Sequence, residues 1–228
     1  MENQIHAFSG VSVVWLFNPA DVRAMYKAEG SQPSRRSHTA LAHLRASKPE
    51  SYNTGGLLPT NGAEWQRIRA PLQKPLLGAL AASRFLPGLD ALMREVVEWV
   101  GEHREALMER DMLPELEKIF METTGLLVLE RRLSALKLDL PSDSIPSKLI
   151  KAARDVNSSV LATDNGLPVW KLWETKDFRR TKEGMEMISR VAGDRVRERV
   201  EQLEAGEEGQ EGSLLDQCLR SLDSFQFI

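Results

Sequence analysis

A mainly α-helical fold with one short strand near the N-terminus is the architecture this sequence predicts. Three observations carry it. Apolar residues recur at three- and four-residue spacing through long segments between 84 and 204, the period of amphipathic helices. Only one run, VSVVWLF at 11–17, is β-branched, aromatic and short enough for a buried strand. Helix start and stop residues punctuate the rest. With 228 residues, 42% of them hydrophobic, the chain can bury one good-sized core.

The elements follow in order. After the strand, Asn18 offers an N-cap and Pro19 a first helical position, so a helix is expected at 19–29, stopping at Gly30. Residues 31–60 are broken by Pro33, Pro49, Gly55, Gly56 and Pro59, with room for a short helix at 38–46. A loop of this length is functional or disordered. A helix at 63–72 is limited by Pro71 and Pro75. The next, at 84–108, carries Leu89, Leu92, Met93, Val96, Val97 and Val100 at helical spacing. One at 113–136 carries Leu116, Ile119, Phe120, Thr123, Leu126, Leu127 and Leu133. One at 144–162 ends at Asp164-Asn165-Gly166. A segment at 167–174 holds Pro168, Trp170 and Trp173, and a long charged helix follows at 175–204. Residues 205–212, AGEEGQEG, read as an acidic flexible linker before a last helix at 213–222.

Composition excludes several classes. The net charge of −3 argues against nucleic-acid binding driven by bulk positive charge, so no nucleic-acid partner is expected. One cysteine, Cys218, rules out a disulfide framework and a multi-cysteine zinc site within the chain. His6, His38, His43 and His103 are too scattered for a metal cluster. No apolar run reaches the roughly 18 residues of a spanning helix. The opening MENQIHAFSG matches neither a secretory signal nor a mitochondrial presequence.

Trp65 and Arg69 stand four apart in EWQRIR, one helical turn on one face. An indole N–H and a guanidinium fork together suit a carboxylate or phosphate. The plainer reading is a half-buried Trp beside a solvated Arg. Trp170 and Trp173 have Lys171, Lys176, Arg179 and Arg180 nearby, a composition that suits a membrane interface. The competing reading packs at least one of these indoles into the core. Glu64 and Arg67 match an ExxR spacing by chance.

Context sharpens the first motif. The order runs VWLFNP, PSRRSH, GGLLPTNG, then Trp65 and Arg69, then QKPLL at 73–77. Residues 129–133, LERRL, and the segment from Pro168 through Trp170 to Thr175 extend it. This series resembles the mitochondrial clan of cytochrome P-450, the haem-thiolate monooxygenases, over residues 11–222. It is most similar to the invertebrate members, including those that hydroxylate ecdysteroids.

The resemblance implies the N-terminal portion of that fold, helices B to H plus a short strand, as a single partial domain. Its helix C would be residues 63–72, with Trp65 and Arg69 donating to a haem propionate. Helices D and E would be 84–108 and 113–136, F would be 144–162, G would be 175–204 and H would be 213–222. The B–C loop, 31–60, would cover the substrate pocket, with Leu57 and Leu58 as lining candidates; ordinary loop packing explains these two leucines equally well. The F–G connection with Trp170 and Trp173 would meet the membrane and admit apolar substrate. The family uses haem (iron protoporphyrin), a lipophilic, often steroid-like substrate and an adrenodoxin-type ferredoxin donor. It implies a peripheral position on the mitochondrial inner membrane.

Helices I, K and L and the cysteine loop of the family have no counterpart in this sequence. Cys218, in LLDQCLRSL, lacks the Gly and Phe neighbours of a haem-ligand loop and reads as a buried apolar thiol. The thiolate ligand is therefore expected to be absent from this chain, and no residue is assigned a catalytic or metal-ligating role. Residues 223–228 read as a tail outside the family. The chain is expected to be the N-terminal half of a longer monooxygenase, inactive and unstable alone. The alternative is a truncated, non-catalytic helical isoform acting in membrane, lipid or protein binding.

Overall fold

A computed structural model describes residues 4–8, 11–78, 81–164, 167–207 and 213–223. Among them the fold is helical apart from one hairpin. Strands β1 (Gln4–Phe8) and β2 (Val11–Trp15) pair antiparallel, with Phe8 opposite Val11. The residue pattern predicts β2 alone, as a buried strand. QIHAF at 4–8 is too brief an alternation to announce a second strand, and Val14 and Trp15 are exposed.

Helix α1 (Pro19–Glu29) lies where its caps predict. Asn18 Oδ1 accepts from the Ala20 N–H at 2.9 Å, and Gly30 closes the helix at φ +70°. Helix α2 (Thr39–Ala46) buries Ala40, Leu41 and Leu44. Its N-terminus is capped from far away in sequence. The Asp164 carboxylate accepts from the His38 N–H at 2.6 Å, the Thr39 N–H at 2.9 Å and the Thr39 hydroxyl at 2.7 Å. A negative group at a helix N-terminus is favourable.

Helix α3 (Gly62–Leu77) runs through Pro71 and Pro75 rather than stopping at residue 72. Both prolines are buried and four apart, on one face. Their packing offsets the lost backbone bonds. The expected helix at 84–108 divides into α4 (Ala81–Glu102) and α5 (Arg104–Met108). At the junction the Trp99 carbonyl accepts from the His103 N–H at 3.1 Å and lies 2.9 Å from the His103 ring Nδ1. Helix α6 (Met112–Val128) ends eight residues before the expected 136. Glu130 turns the chain at φ +49°, and the Arg131 N–H returns to the Gly125 carbonyl at 3.0 Å.

Helix α7 (Ile145–Asp164) and helix α8 (Lys176–Glu204) flank a 3-10 turn at Val169–Lys171. Their paired residues run in opposite senses, Asp155 with Arg180 and Ala152 with Gly184, so the helices are antiparallel. Helix α9 (Leu214–Asp223) lies against α3 and α6. Residues 165–166, most of the expected linker (208–212) and residues 224–228 of the expected tail lie outside the described residues.

Candidate functional site

Helix α3 brings Trp65 and Arg69 together as their spacing predicts. The Arg69 guanidinium stacks over the Trp65 indole, 4.9 Å from the ring centroid. Both side chains are half-buried. Neither makes a hydrogen bond or ion pair to a described residue, so the indole N–H and the guanidinium donors are uncommitted there.

The loop before α3 folds against α7 and α8. Its ends are tied by Asn61, whose Oδ1 accepts from the Arg35 N–H at 2.5 Å and whose Nδ2 donates to the Arg35 carbonyl at 3.0 Å. Tyr52 reaches the Ser189 hydroxyl of α8 at 3.0 Å, and Lys48 pairs with Glu186 of α8 at 2.6 Å. Between loop and helices lies a cavity of about 280 Å³. Leu57 and Leu58 form part of its wall, together with Leu41 and Arg45 of α2. The opposite wall is Val156 and Asn157 of α7 with Met185 and Ile188 of α8. The lining is mainly apolar, the character of a small-molecule pocket.

Trp170 and Trp173 part company. Trp170 is only 4% exposed, its Nε1 donates to the Thr163 carbonyl at 3.1 Å, and its ring stacks on Phe178 at 5.6 Å. It is a core residue and stands at no surface, which corrects the expectation for that indole. Trp173 is 61% exposed beside Leu172 at 80%. The 3-10 turn between α7 and α8 decides this: it tucks Trp170 under itself and leaves residues 172 and 173 outside.

Cys218 is half-buried on α9. Burial, then the nearby Glu130 carboxylate, pushes its thiol up, away from thiolate. Among the described residues no cluster of His, Cys, Asp or Glu could hold a metal ion. No described helix is long and apolar enough to cross a membrane.

One polar centre escapes sequence reasoning. Glu122 of α6 is 0% exposed and accepts from Arg132 Nε at 2.6 Å, the Leu133 N–H at 3.2 Å and the Ala135 N–H at 2.7 Å. Arg132 also forks onto Glu95 of α4 at 2.9 and 2.6 Å. Through these contacts Arg132 of the LERRL segment links α4 to α6. The two carboxylates hold the Arg132 guanidinium well above its ordinary range.

Known proteins resemble this chain over most of its length. The chain is 38% identical over 192 residues to Cytochrome P450 302a1, mitochondrial, of Drosophila melanogaster, an alignment covering 84% of this chain and 39% of that protein. It is 26% identical over 199 residues to Ecdysone 20-monooxygenase of Drosophila melanogaster, covering 86% of this chain and 36% of that protein. It is 29% identical over 169 residues to the human 25-hydroxyvitamin D-1 alpha hydroxylase, mitochondrial, covering 72% of this chain and 32% of that protein. The chain thus spans well under half the length of these relatives. The cytochrome P450 family pattern matches residues 6–224, from within β1 to just past α9, and the chain belongs to that family.

Proposed function

We propose that this chain is the N-terminal part of a haem-dependent monooxygenase that hydroxylates a steroid-like or other lipophilic substrate. The family match across residues 6–224 is the observation that carries the reading. The relatives named as an ecdysone monooxygenase and a vitamin D hydroxylase support the substrate class. When bound, the haem supplies oxygen activation at its iron.

This chain's own residues contribute in two ways. Trp65 and Arg69 hold a haem propionate through one indole N–H and a charge-assisted guanidinium bond. Their stacked geometry and uncommitted donors support this fit. Leu57 and Leu58 form one wall of the substrate cavity, facing α7 and α8, as their place in the lining supports. The iron ligand does not fit this chain. The one thiol, Cys218, sits on a regular helix in surroundings that disfavour thiolate. A chain without that ligand is not competent for oxygenation, and the parent enzyme draws electrons from an adrenodoxin-type ferredoxin. The printed names of the relatives support a mitochondrial place. Exposed Leu167, Leu172 and Trp173 support peripheral contact of the α7–α8 connection with the inner membrane.

Haem titration of the purified chain tests the proposal. The expected result is saturable haem binding that Arg69→Gln weakens about tenfold. The reduced carbonyl complex should lack the thiolate-type Soret band. Equal binding by the variant would remove the propionate role. A thiolate-type band, or turnover with ferredoxin and its reductase, would overturn the inactivity of the chain alone.

A further inference from the structure

The cavity between the loop and α7–α8 is mainly apolar, but His38, Asn157 and the guanidinium of Arg45 stand in its wall. Arg45 reaches it from α2. Three contacts hold the side chain. Its Nε donates to the Thr54 carbonyl at 3.1 Å. Its Cζ lies 4.5 Å over the Tyr52 ring, which is itself bonded to Ser189 of α8. Its terminal nitrogens lie along Gly56, where an added Cβ would stand 3.1 Å from Nη1. Gly56 also adopts φ +88°, a backbone conformation that disfavours any larger residue there, and an added Cβ would press on the guanidinium.

The guanidinium is thus placed by the fold rather than by a counter-ion. No carboxylate among the described residues pairs with Arg45, whereas most arginines of α7 and α8 have one. Burial pushes the Arg45 guanidinium down from its ordinary value, with the Tyr52 ring only partly opposing this. Half-desolvated cations of this kind gain from an oxygen acceptor that replaces lost water.

We infer that Arg45 is the specificity-determining residue of this cavity, holding the oxygen-bearing end of a lipophilic ligand whose apolar body lies along Leu41, Leu58, Val156 and Ile188. The strongest ligands carry an oxyanion at that end, and ligands with a cationic end are rejected. The inference rests on the reading of the cavity as the substrate wall. It adds the orientation: oxygenated end toward α2, apolar body between loop and α7–α8.

Three probes of equal chain length test it by calorimetry on the full chain: dodecanoate, dodecan-1-ol and dodecylammonium. The expected order of affinity is carboxylate, alcohol, ammonium, with about tenfold between the first two. Arg45→Gln should bring dodecanoate down to about the affinity of the alcohol, and continued binding of dodecan-1-ol shows the cavity intact. Arg45→Lys should keep most of the preference for the anion. Ammonium binding as tight as carboxylate, no binding of any probe, or an unchanged preference in Arg45→Gln would each overturn the inference. The sign of the preference in the unaltered chain needs no variant to fold. Haem titration separates the two readings. Loss of anion preference with haem binding intact removes Arg45 alone, and loss of haem binding with anion preference intact removes the cofactor reading alone.

Discussion

The seam between α7 and α8 and the outer side of α6 are built on opposite plans. At the seam the layers around Gly184, Thr181 and Arg180 are closed. Gly184 lets the helices touch, the Ser159 and Thr181 hydroxyls meet at 2.7 Å, and Arg180 bonds Asp155 at 2.7 Å. On α6 the charged residues Glu115, Lys118 and Glu122 face inward, while Leu113, Leu116 and Phe120 face out. Met93, Val97 and Val100 of α4 are exposed as well. A helix that buries its charges and exposes its leucines is inverted relative to an ordinary surface helix. The seam is a finished interface. The outer side of α6 has the composition of one still to be covered, and on the proposed function the rest of the parent fold covers it.

The largest effect should come from the inward side of α6. Glu122→Ala leaves the Leu133 and Ala135 N–H groups and Arg132 Nε without their acceptor. Buried donors without partners are costly, and the loss should be about 3 kcal/mol. Urea unfolding of the variant measures it. A loss under about 1 kcal/mol would mean that Arg132 is held by Glu95 alone and that α6 is not organised around its charges.

The seam should be nearly as sensitive, for a steric reason. A Cβ on Gly184 would stand 2.7 Å from Val156 Cγ2 and 2.9 Å from the Ala152 carbonyl oxygen. Backbone cannot yield there without parting the helices, so Gly184→Ala should cost about 2 kcal/mol. Gly193, farther along α8, has nothing within 4 Å of its would-be Cβ. Gly193→Ala should therefore stabilise by about 0.5–1 kcal/mol through helix propensity. Thermal melts of the two variants should move in opposite directions.

A smaller effect concerns pH. Burial alone would raise the Asp155 carboxyl, but hydrogen bonds and charge from Lys151 and Arg180 outweigh it, and its pKa is held below the ordinary value. A depressed folded pKa gives stability that is complete above the unfolded value, about 3.9, and lost as pH falls through the folded value. The cations are partly exposed, so the contribution should be about 1 kcal/mol. Asp155→Asn should unfold with a shallower acid limb below about pH 4. An unchanged limb would assign the acid sensitivity to carboxylates outside the seam.

Much of this is legible from residues alone, and the failures share a cause. Asn18-Pro19 and Gly30 announce α1 because caps act within one turn. Trp65 and Arg69 are legible because helical spacing alone makes them neighbours. Leu57 and Leu58 come from the family resemblance, while the cavity wall they stand in depends on the loop folding against α7 and α8. Arg45 is invisible because its place depends on the turn at Gly56 and on Tyr52 reaching α8. Glu122 gives no signal because its partners lie 10 to 13 residues on, past a turn whose left-handed Glu130 has no sequence signature. Pro71 and Pro75 read as stops because their burial is a tertiary fact. In each case local chemistry is readable and the contact that redirects it is distant.

The smallest effect is the sharpest test of the comparison. Phe120 is 66% exposed, on the same side of α6 as Leu113 and Leu116. Its removal opens no cavity, since little packs on it within the described residues. Phe120→Ser should therefore leave the unfolding free energy within about 0.5 kcal/mol of the original. The same change removes a large share of the exposed apolar side, so self-association in sedimentation should weaken. The two measurements pull apart the two meanings of an exposed aromatic. Unchanged stability with weaker association identifies a face that is apolar for the sake of a covering it does not have within these residues. A loss of more than about 2 kcal/mol would instead place Phe120 in a packed core, and α6 would then be an ordinary amphipathic helix whose inward charges are incidental.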